Sequence, residues 1–288
     1  MMWGEKYFIV TCHGWSGSHW LATALNSHPE VICCHSALNI LADTKTWADD
    51  KLKKTIVPRQ NARLRRGVVS TDELFKEVKS YGKAKVYGNV HTLRIRDLPE
   101  INSRFRARKS YALMNMVRHP VSLVASGAGQ LREMMEWDIY ALLETSDAVR
   151  EEMELALETS EKYGINLCDN DNRAFITACH HQKHLARDHM IAPDIPTIIM
   201  ERVVSERAYY AEIFEQLTSK KLKADDEYLD NVFSIGKLNP HKAGAKKSPE
   251  QEYAEWPAWQ KEVFGRIFSR CNLRELYQKF GYDFSFIV

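Results

Sequence analysis

The sequence predicts an α/β protein with a central parallel sheet flanked by helices on both faces. Short apolar runs of strand length alternate with segments of helical periodicity along the chain, as expected when a helix follows each parallel strand. No break in composition divides the chain, and 288 residues are ample for one buried core. We therefore expect a single domain over residues 1–288.

The first strand, loop and helix fall within residues 7–29. An apolar run over 7–10 predicts the strand, small and polar residues follow, and a helical pattern begins near Ser18. Gly14 and Gly17 permit close backbone approach and a positive φ. Such a loop directs backbone N–H groups and the positive end of a helix dipole at one point, where an anion fits. The segment is either an anion site or an ordinary strand–helix turn; the side chains that add donors to it are Ser16, Ser18 and His19.

Four further strands are predicted, over residues 30–36, 85–91, 110–117 and 197–200. The helical segments are predicted at 71–81, from 120 onward, 133–161, 173–190, 207–217 and 256–280. His35 and Ser36 stand at the end of the second strand. Because ligands of open parallel sheets bind at the carboxyl ends of strands, these two residues either contact a substrate or form a turn.

Composition excludes several classes of protein. Hydrophobic residues make up 44% and charged residues 27%, and the net charge of +2 argues against a general nucleic-acid binder. No apolar stretch approaches the ~20 residues of a membrane span, and no secretory signal is recognisable. The six cysteines form no C-x-x-C pair, so we expect reduced thiols in a cytoplasmic protein. A homodimer stays an open alternative.

Two segments in the middle of the chain allow more than one interpretation. Residues 133–161 hold ten acidic residues and one basic residue. This segment, with Trp137 and Tyr140, either walls an acceptor pocket that suits a cation or forms a solvated helix face. His180, His184 and Asp188 share a helical spacing that could bind a metal. We favour a polar helix face there and expect no metal site.

A second candidate anion site follows the strand at 110–117. That strand runs directly into Arg118, and Ser126 lies eight residues further on, in a helix that begins at Pro120. An arginine can clamp a phosphate with two hydrogen bonds, and a serine adds a donor, although Arg118 could equally be a structural ion-pair residue. Together with the first loop, this pattern favours a ligand with two separated anionic groups.

At these residues the chain resembles the sulfotransferase family that uses 3′-phosphoadenosine 5′-phosphosulfate. Ser16–Leu21, followed by Leu25–Pro29, resembles the family's 5′-phosphosulfate loop and its helix, and Val117–Ser126 resembles its 3′-phosphate segment. His91 stands at a strand end where cytosolic members carry their catalytic histidine. The lysine-rich loop over 234–247 stands where the family places a segment over the nucleotide.

The resemblance implies a P-loop-NTPase-like sulfotransferase architecture and transfer of a sulfuryl group to a hydroxyl or amine of a small-molecule acceptor. It implies 3′,5′-adenosine bisphosphate as the product, no metal, and His91 as the base. The implied donor contacts are Gly14, Trp15, Ser16, Gly17, Ser18, His19, Trp20, Arg118, Ser126, Lys242 and Lys246. The family usually has a lysine or arginine where this chain has Trp15, so a cation must come from His13, His19 or a lysine of the 237–247 loop.

Two other functions stay open. An atypical P-loop-like kinase is one, although the Walker pattern is absent because no lysine follows Gly17. A non-catalytic nucleotide-binding protein on the same fold is the other, and Trp15 in place of the basic residue motivates it. The G-x-G-x-x-G fingerprint is absent, which counts against NAD binding.

Overall fold

A computed structural model describes most of the chain. The residues described are 5–35, 40–41, 71–91, 111–135, 147–235 and 247–287. Their contacts group into two compact units, one comprising Met1–Val117 and Ile191–Ala243, the other Arg118–Met190 and Gly244–Val288. The first unit contains the sheet and the second is helical. A single domain over residues 1–288 stays a prediction.

The sheet of the first unit has six strands in the order β3-β2-β4-β1-β5-β6. The strands are β1 (Lys6–Cys12), β2 (Val31–His35), β3 (Ile40–Leu41), β4 (Val86–Val90), β5 (Tyr111–Val117) and β6 (Thr197–Ile199). Five strands are parallel, and the two-residue β3 pairs antiparallel with β2. The predicted parallel sheet is confirmed. The sequence did not predict β3, since two residues carry no periodic pattern.

The strand order places β1 between β4 and β5, so the chain changes direction across the sheet at β1. Ligands of open parallel sheets bind at such a switch point, beyond the carboxyl ends of the strands. The segments that follow β1, β4 and β5 begin with His13, His91 and Arg118. These are the segments in which the sequence placed its candidate site residues.

Helices of the first unit cover both faces of the sheet. They are α1 (Ser18–Asn26), α2 (Thr71–Lys79), α7 (Met200–Val203), α8 (Arg207–Leu217) and α9 (Asp226–Ser234). Phe8 and Val10 of β1 share a buried cluster with residues of α1, α8 and α9. Ile9, between them, points the other way and is buried with residues of α2. The alternation of β1 side chains thus confirms the predicted helices on both faces.

The second unit is built from α3 (Pro120–Met135), α4 (Asp147–Tyr163), α5 (Asn170–His180), α6 (Gln182–Ile191), α10 (Pro249–Glu255), α11 (Ala258–Arg270) and α12 (Leu273–Gln278). Its aromatic core includes Phe175, whose ring contacts Trp256 and Trp259 edge-on at centroid distances of 5.0 and 5.4 Å. In the acidic α4, the exposed Glu158 pairs with Arg266 at 2.7 Å. Glu154 and Glu161 of the same helix are exposed as well, whereas Leu155, Ala156 and Thr159 are buried.

Two predicted helices are interrupted. The segment 173–190 contains a break at His181, which caps the C-terminus of α5 before α6 begins. The closing segment breaks at Asn272, whose left-handed φ of 50° separates α11 from α12. Among the described residues, no group of histidine, cysteine and acidic side chains is placed to hold a metal ion. None of the described helices has the length and apolarity to span a membrane.

Candidate anion site at the end of β1

The loop after β1 contains two residues whose backbone lies in the left-handed region. Trp15 and Gly17 both adopt a positive φ, of 69° and 83°. Ser16 is fully buried, and its hydroxyl donates a 2.8 Å hydrogen bond to the carbonyl oxygen of His13. The loop is therefore closed by a side chain of its own. It leads into α1, whose first turn contains no acidic residue.

Gly17 is required both by conformation and by space. It caps the N-terminus of α1 in the left-handed region, where no side-chain hydrogen bond assists it. A Cβ atom at this position would lie 2.3 Å from Cε of Met200. A Cβ at Gly14 would meet nothing within 4 Å. Backbone N–H groups at the start of a helix have no partner within the helix, so this end of α1 offers donors to an anion.

Three histidines gather beside this helix end and form what we call the histidine cluster (His19, His35 and His91). The rings of His35 and His91 are stacked, with centroids 5.3 Å apart and an interplanar angle of 16°. The ring of His19 meets His35 edge-on at 5.5 Å. Nε2 of His35 lies 2.9 Å from the hydroxyl of Ser18, the first residue of α1. The cluster thus contacts the start of the helix directly.

The register of the sheet brings these side chains together. His35, at the end of β2, pairs with Val90, and His91 follows Val90 in the chain. The N–H group of His91 donates to the carbonyl oxygen of Val10 in β1, at 3.0 Å, and its φ is 69°. Nδ1 of His91 lies 3.2 Å from Sγ of Cys12, the last residue of β1. The carboxyl ends of three neighbouring strands therefore meet at His91.

Burial favours the neutral forms of His35 and of the neighbouring Cys12. Burial lowers the pKa of His35 well below its usual 6.5, and the nearby His91 and His19 lower it further. Burial also raises the pKa of the Cys12 thiol to about 12. His35 is thus a neutral imidazole and Cys12 a protonated thiol at ordinary pH. Neither supplies the cation that the loop lacks at Trp15.

The structure also locates the other predicted residues of the first unit. His13 is buried, with 2% of its surface exposed. Trp15 is half-buried in the loop. Trp20 is half-buried and meets the ring of Tyr210 edge-on at 6.1 Å, so it packs on the hydrophobic core. Predicted residues that lie outside the described part of the chain are Ser36, Trp137, Tyr140, Lys242 and Lys246.

In the second unit, Arg118 lies two residues before the start of α3, and Ser126 lies within its second turn. Both are half-buried, and Arg118 is the residue after the end of β5. Between them, His119 is buried, and its Nδ1 accepts a hydrogen bond from the N–H of Val121 at 3.2 Å. His119 thereby caps the first turn of α3. It is a structural residue that keeps the segment after β5 in place.

One contact residue was missed by the sequence reasoning. Cys12 lies two residues after the apolar run that predicts the first strand, and its thiol contacts Nδ1 of His91. The only signal for it is its position at the carboxyl end of a strand that precedes the candidate loop. The hydrogen bond between Ser18 and His35 was also not predicted, because it depends on which strands are neighbours.

Three solved structures are similar to this chain. The first is mouse sulfotransferase SULT7A1 complexed with PAP, with a TM-score of 0.46 and 11% identity over 98% of this chain and 89% of that chain. The second is a sulfotransferase from Alicyclobacillus acidocaldarius, with a TM-score of 0.47 and 12% identity over 98% of this chain and 97% of that chain. The third is the sulfotransferase domain from the curacin biosynthetic pathway, with a TM-score of 0.44 and 13% identity over 93% of this chain and 98% of that chain. All three are sulfotransferases. No protein-family model and no curated protein sequence matches the chain. Identities and TM-scores this low assign no activity to this chain.

Proposed function

We propose that this protein is a sulfotransferase that moves a sulfuryl group from 3′-phosphoadenosine 5′-phosphosulfate to a hydroxyl or amine of a small-molecule acceptor. The observation that carries the proposal is a juxtaposition. The glycine-capped start of α1, which suits an anion, lies beside His91, which can take a proton. Ser18, His35 and Cys12 connect the two through direct contacts.

The loop from Gly14 to His19 would hold the 5′-phosphosulfate. Its donors are the N–H groups at the start of α1 and the hydroxyl of Ser18. The absence of acidic residues from the first turn of α1 leaves the helix dipole unopposed. Because Trp15 stands where a basic side chain is usual, another group must stabilise the negative charge on the leaving phosphate. His19, at the edge of the histidine cluster, would take that role. His13 is buried beneath the loop and is the second candidate for that role.

The assignment of the donor's 3′-phosphate to Arg118 and Ser126 comes from the sequence and stays a prediction. Arg118 follows Val117, the last residue of β5. Ser126 lies nearly two helical turns into α3. Arginine suits this task since its planar guanidinium group stays charged and binds phosphate oxygens in pairs.

His91 would act as the general base. The donor supplies an activated sulfuryl group, which an acceptor oxygen or nitrogen attacks while the bond from sulfur to the bridging phosphate oxygen breaks. For Nε2 of His91 to take the acceptor's proton, Nδ1 must carry the ring's own proton and donate it to Sγ of Cys12, which lies 3.2 Å away. Positioned general bases contribute ~10²–10⁴-fold in rate. The remaining contribution comes from alignment and from donors aimed at the leaving phosphate.

Thermal shift measurements with three ligands test the proposal: 3′,5′-adenosine bisphosphate, ATP and NAD. A ligand that binds only the native state at 100 times its Kd adds ~2.7 kcal/mol of stability, so the bisphosphate alone should raise the midpoint. Stabilisation by ATP without the bisphosphate would select the kinase alternative. Arg118→Ala should weaken bisphosphate binding, and unchanged affinity would contradict the 3′-phosphate assignment.

Catalysis needs a separate measurement, because Trp15 motivates the alternative of a non-catalytic binder. Sulfuryl transfer from the donor to panels of phenols, alcohols and amines should show turnover with the wild type. His91→Gln should lower kcat by ~10²–10⁴-fold, far more than it weakens bisphosphate binding, because His91 touches the nucleotide site only through its stack on His35. Tight bisphosphate binding without turnover of any acceptor would support the non-catalytic alternative.

A further inference from the structure

We propose that His35 is a positioning residue that holds the Ser18 hydroxyl as a hydrogen-bond donor to the 5′-phosphate of the nucleotide. The inference rests on the proposed function, since it assumes that an anion binds at the start of α1. It gives His35 a role different from the substrate contact that its position at a strand end predicts.

Ser18 is placed for a role other than helix capping. A serine at the start of a helix ordinarily caps it through its side chain, but here Gly17 is the N-cap residue. The Ser18 hydroxyl contacts Nε2 of His35 at 2.9 Å, and both residues are buried, with 6% and 4% of their surface exposed. The Cys12 thiol, at the end of β1, is buried as well. The Ser18 hydroxyl is therefore held by a side chain at the end of β2.

The chemistry of an anion decides the direction of the hydrogen bond to His35. A phosphate oxygen accepts hydrogen bonds, so the single proton of the Ser18 hydroxyl must point to the phosphate when the nucleotide is bound. The Ser18 oxygen is then free to accept, and a neutral imidazole that carries its proton on Nε2 donates to it. Burial and the neighbouring His91 and His19 lower the pKa of His35, which favours the neutral ring. The neutral ring supplies this proton without adding a positive charge to the core.

The stacked ring of His91 restricts the orientation of His35. With centroids 5.3 Å apart and an interplanar angle of 16°, the imidazole of His35 cannot tilt out of its plane without leaving the stack. The edge contact with His19 adds a second restraint. An oriented donor loses less conformational entropy on binding than a freely rotating hydroxyl does. His35 should therefore strengthen nucleotide binding through Ser18.

Calorimetric titration of the full chain with 3′,5′-adenosine bisphosphate tests this coupling. Ser18→Ala should raise the Kd roughly 10–100-fold, because it removes a hydrogen bond to a charged group. His35→Leu should raise it about tenfold in the wild-type background. The same substitution should have almost no effect on the Kd in the Ser18→Ala background, because the hydroxyl through which His35 acts is then absent. Equal effects of His35→Leu in both backgrounds would overturn the inference.

A matched pair of amide variants separates positioning from a structural role. In His35→Gln the amide nitrogen can take the place of Nε2 and donate to Ser18, so affinity should stay within about threefold of wild type. In His35→Asn the shorter side chain cannot reach Ser18, so affinity should fall as in His35→Leu. A glutamine variant as weak as the asparagine variant contradicts the inference, and this comparison serves even if His35→Leu fails to fold. Absence of bisphosphate binding to the wild type would instead overturn the proposed function along with the inference.

Discussion

Gly17→Ala probes the backbone on which the candidate site depends. Gly17 has φ +83°, and a Cβ there would lie 2.3 Å from Cε of Met200 and 2.7 Å from its Sδ. The left-handed conformation costs an alanine ~1–2 kcal/mol. The thioether end must also move by more than 1 Å to reach an ordinary ~3.5–4 Å contact, but it is the flexible end of a side chain. We expect a loss of ~2 kcal/mol in unfolding free energy, which corresponds to a fall of roughly 4–8 °C in Tm.

Two variants separate the conformational cost from the steric cost. Gly14→Ala is the matched control within the same loop, because a Cβ there meets nothing within 4 Å. Its unfolding free energy should change by less than ~0.5 kcal/mol. In a Met200→Ala background the steric part disappears, so Gly17→Ala should then cost only ~1 kcal/mol. Urea unfolding of the four variants measures these differences. A neutral Gly17→Ala, or one whose cost equals that of Gly14→Ala, would refute the reasoning.

Two further predictions concern the rest of the chain. Burial lowers the pKa of His180 and of His189 to about 4, from 6.5. As the pH falls from 6.5 towards 4, the unfolded chain therefore takes up protons that the native state does not bind. The unfolding free energy should fall over this range by roughly 2–3 kcal/mol per histidine. The total fall should be smaller in a His180→Gln variant. An unfolding free energy that stays constant from pH 7 to 4.5 would contradict this prediction. Separately, Gly88→Ala would place a Cβ 1.8 Å from the buried ring of Phe8, its partner in the neighbouring strand. It should cost at least ~1–3 kcal/mol in urea unfolding and clearly less in a Phe8→Leu background, and equal costs in both would show that the ring is not the obstacle.

Local patterns were sufficient for the elements that carry the candidate site. The apolar run at 7–10 and the small residues after it predicted β1, the loop and α1, because strand and turn preferences act over a few residues. The same reasoning identified His91 at the end of β4. Local patterns failed where a single residue interrupts a helix, as His181 and Asn272 do. A break of that kind leaves the hydrophobic periodicity on either side unchanged.

The sequence by itself determined the α/β class, the glycine loop before α1, and the presence of histidines at two strand ends. Only the tertiary structure decided which of these residues meet. His35 reaches Ser18 and His91 because β2 pairs with β4 in a register that places His35 opposite Val90. Strand pairing between residues so far apart in the chain depends on how the whole sheet packs, and no local pattern encodes it. Burial, which keeps His35 neutral, likewise follows from packing against neighbouring strands and helices.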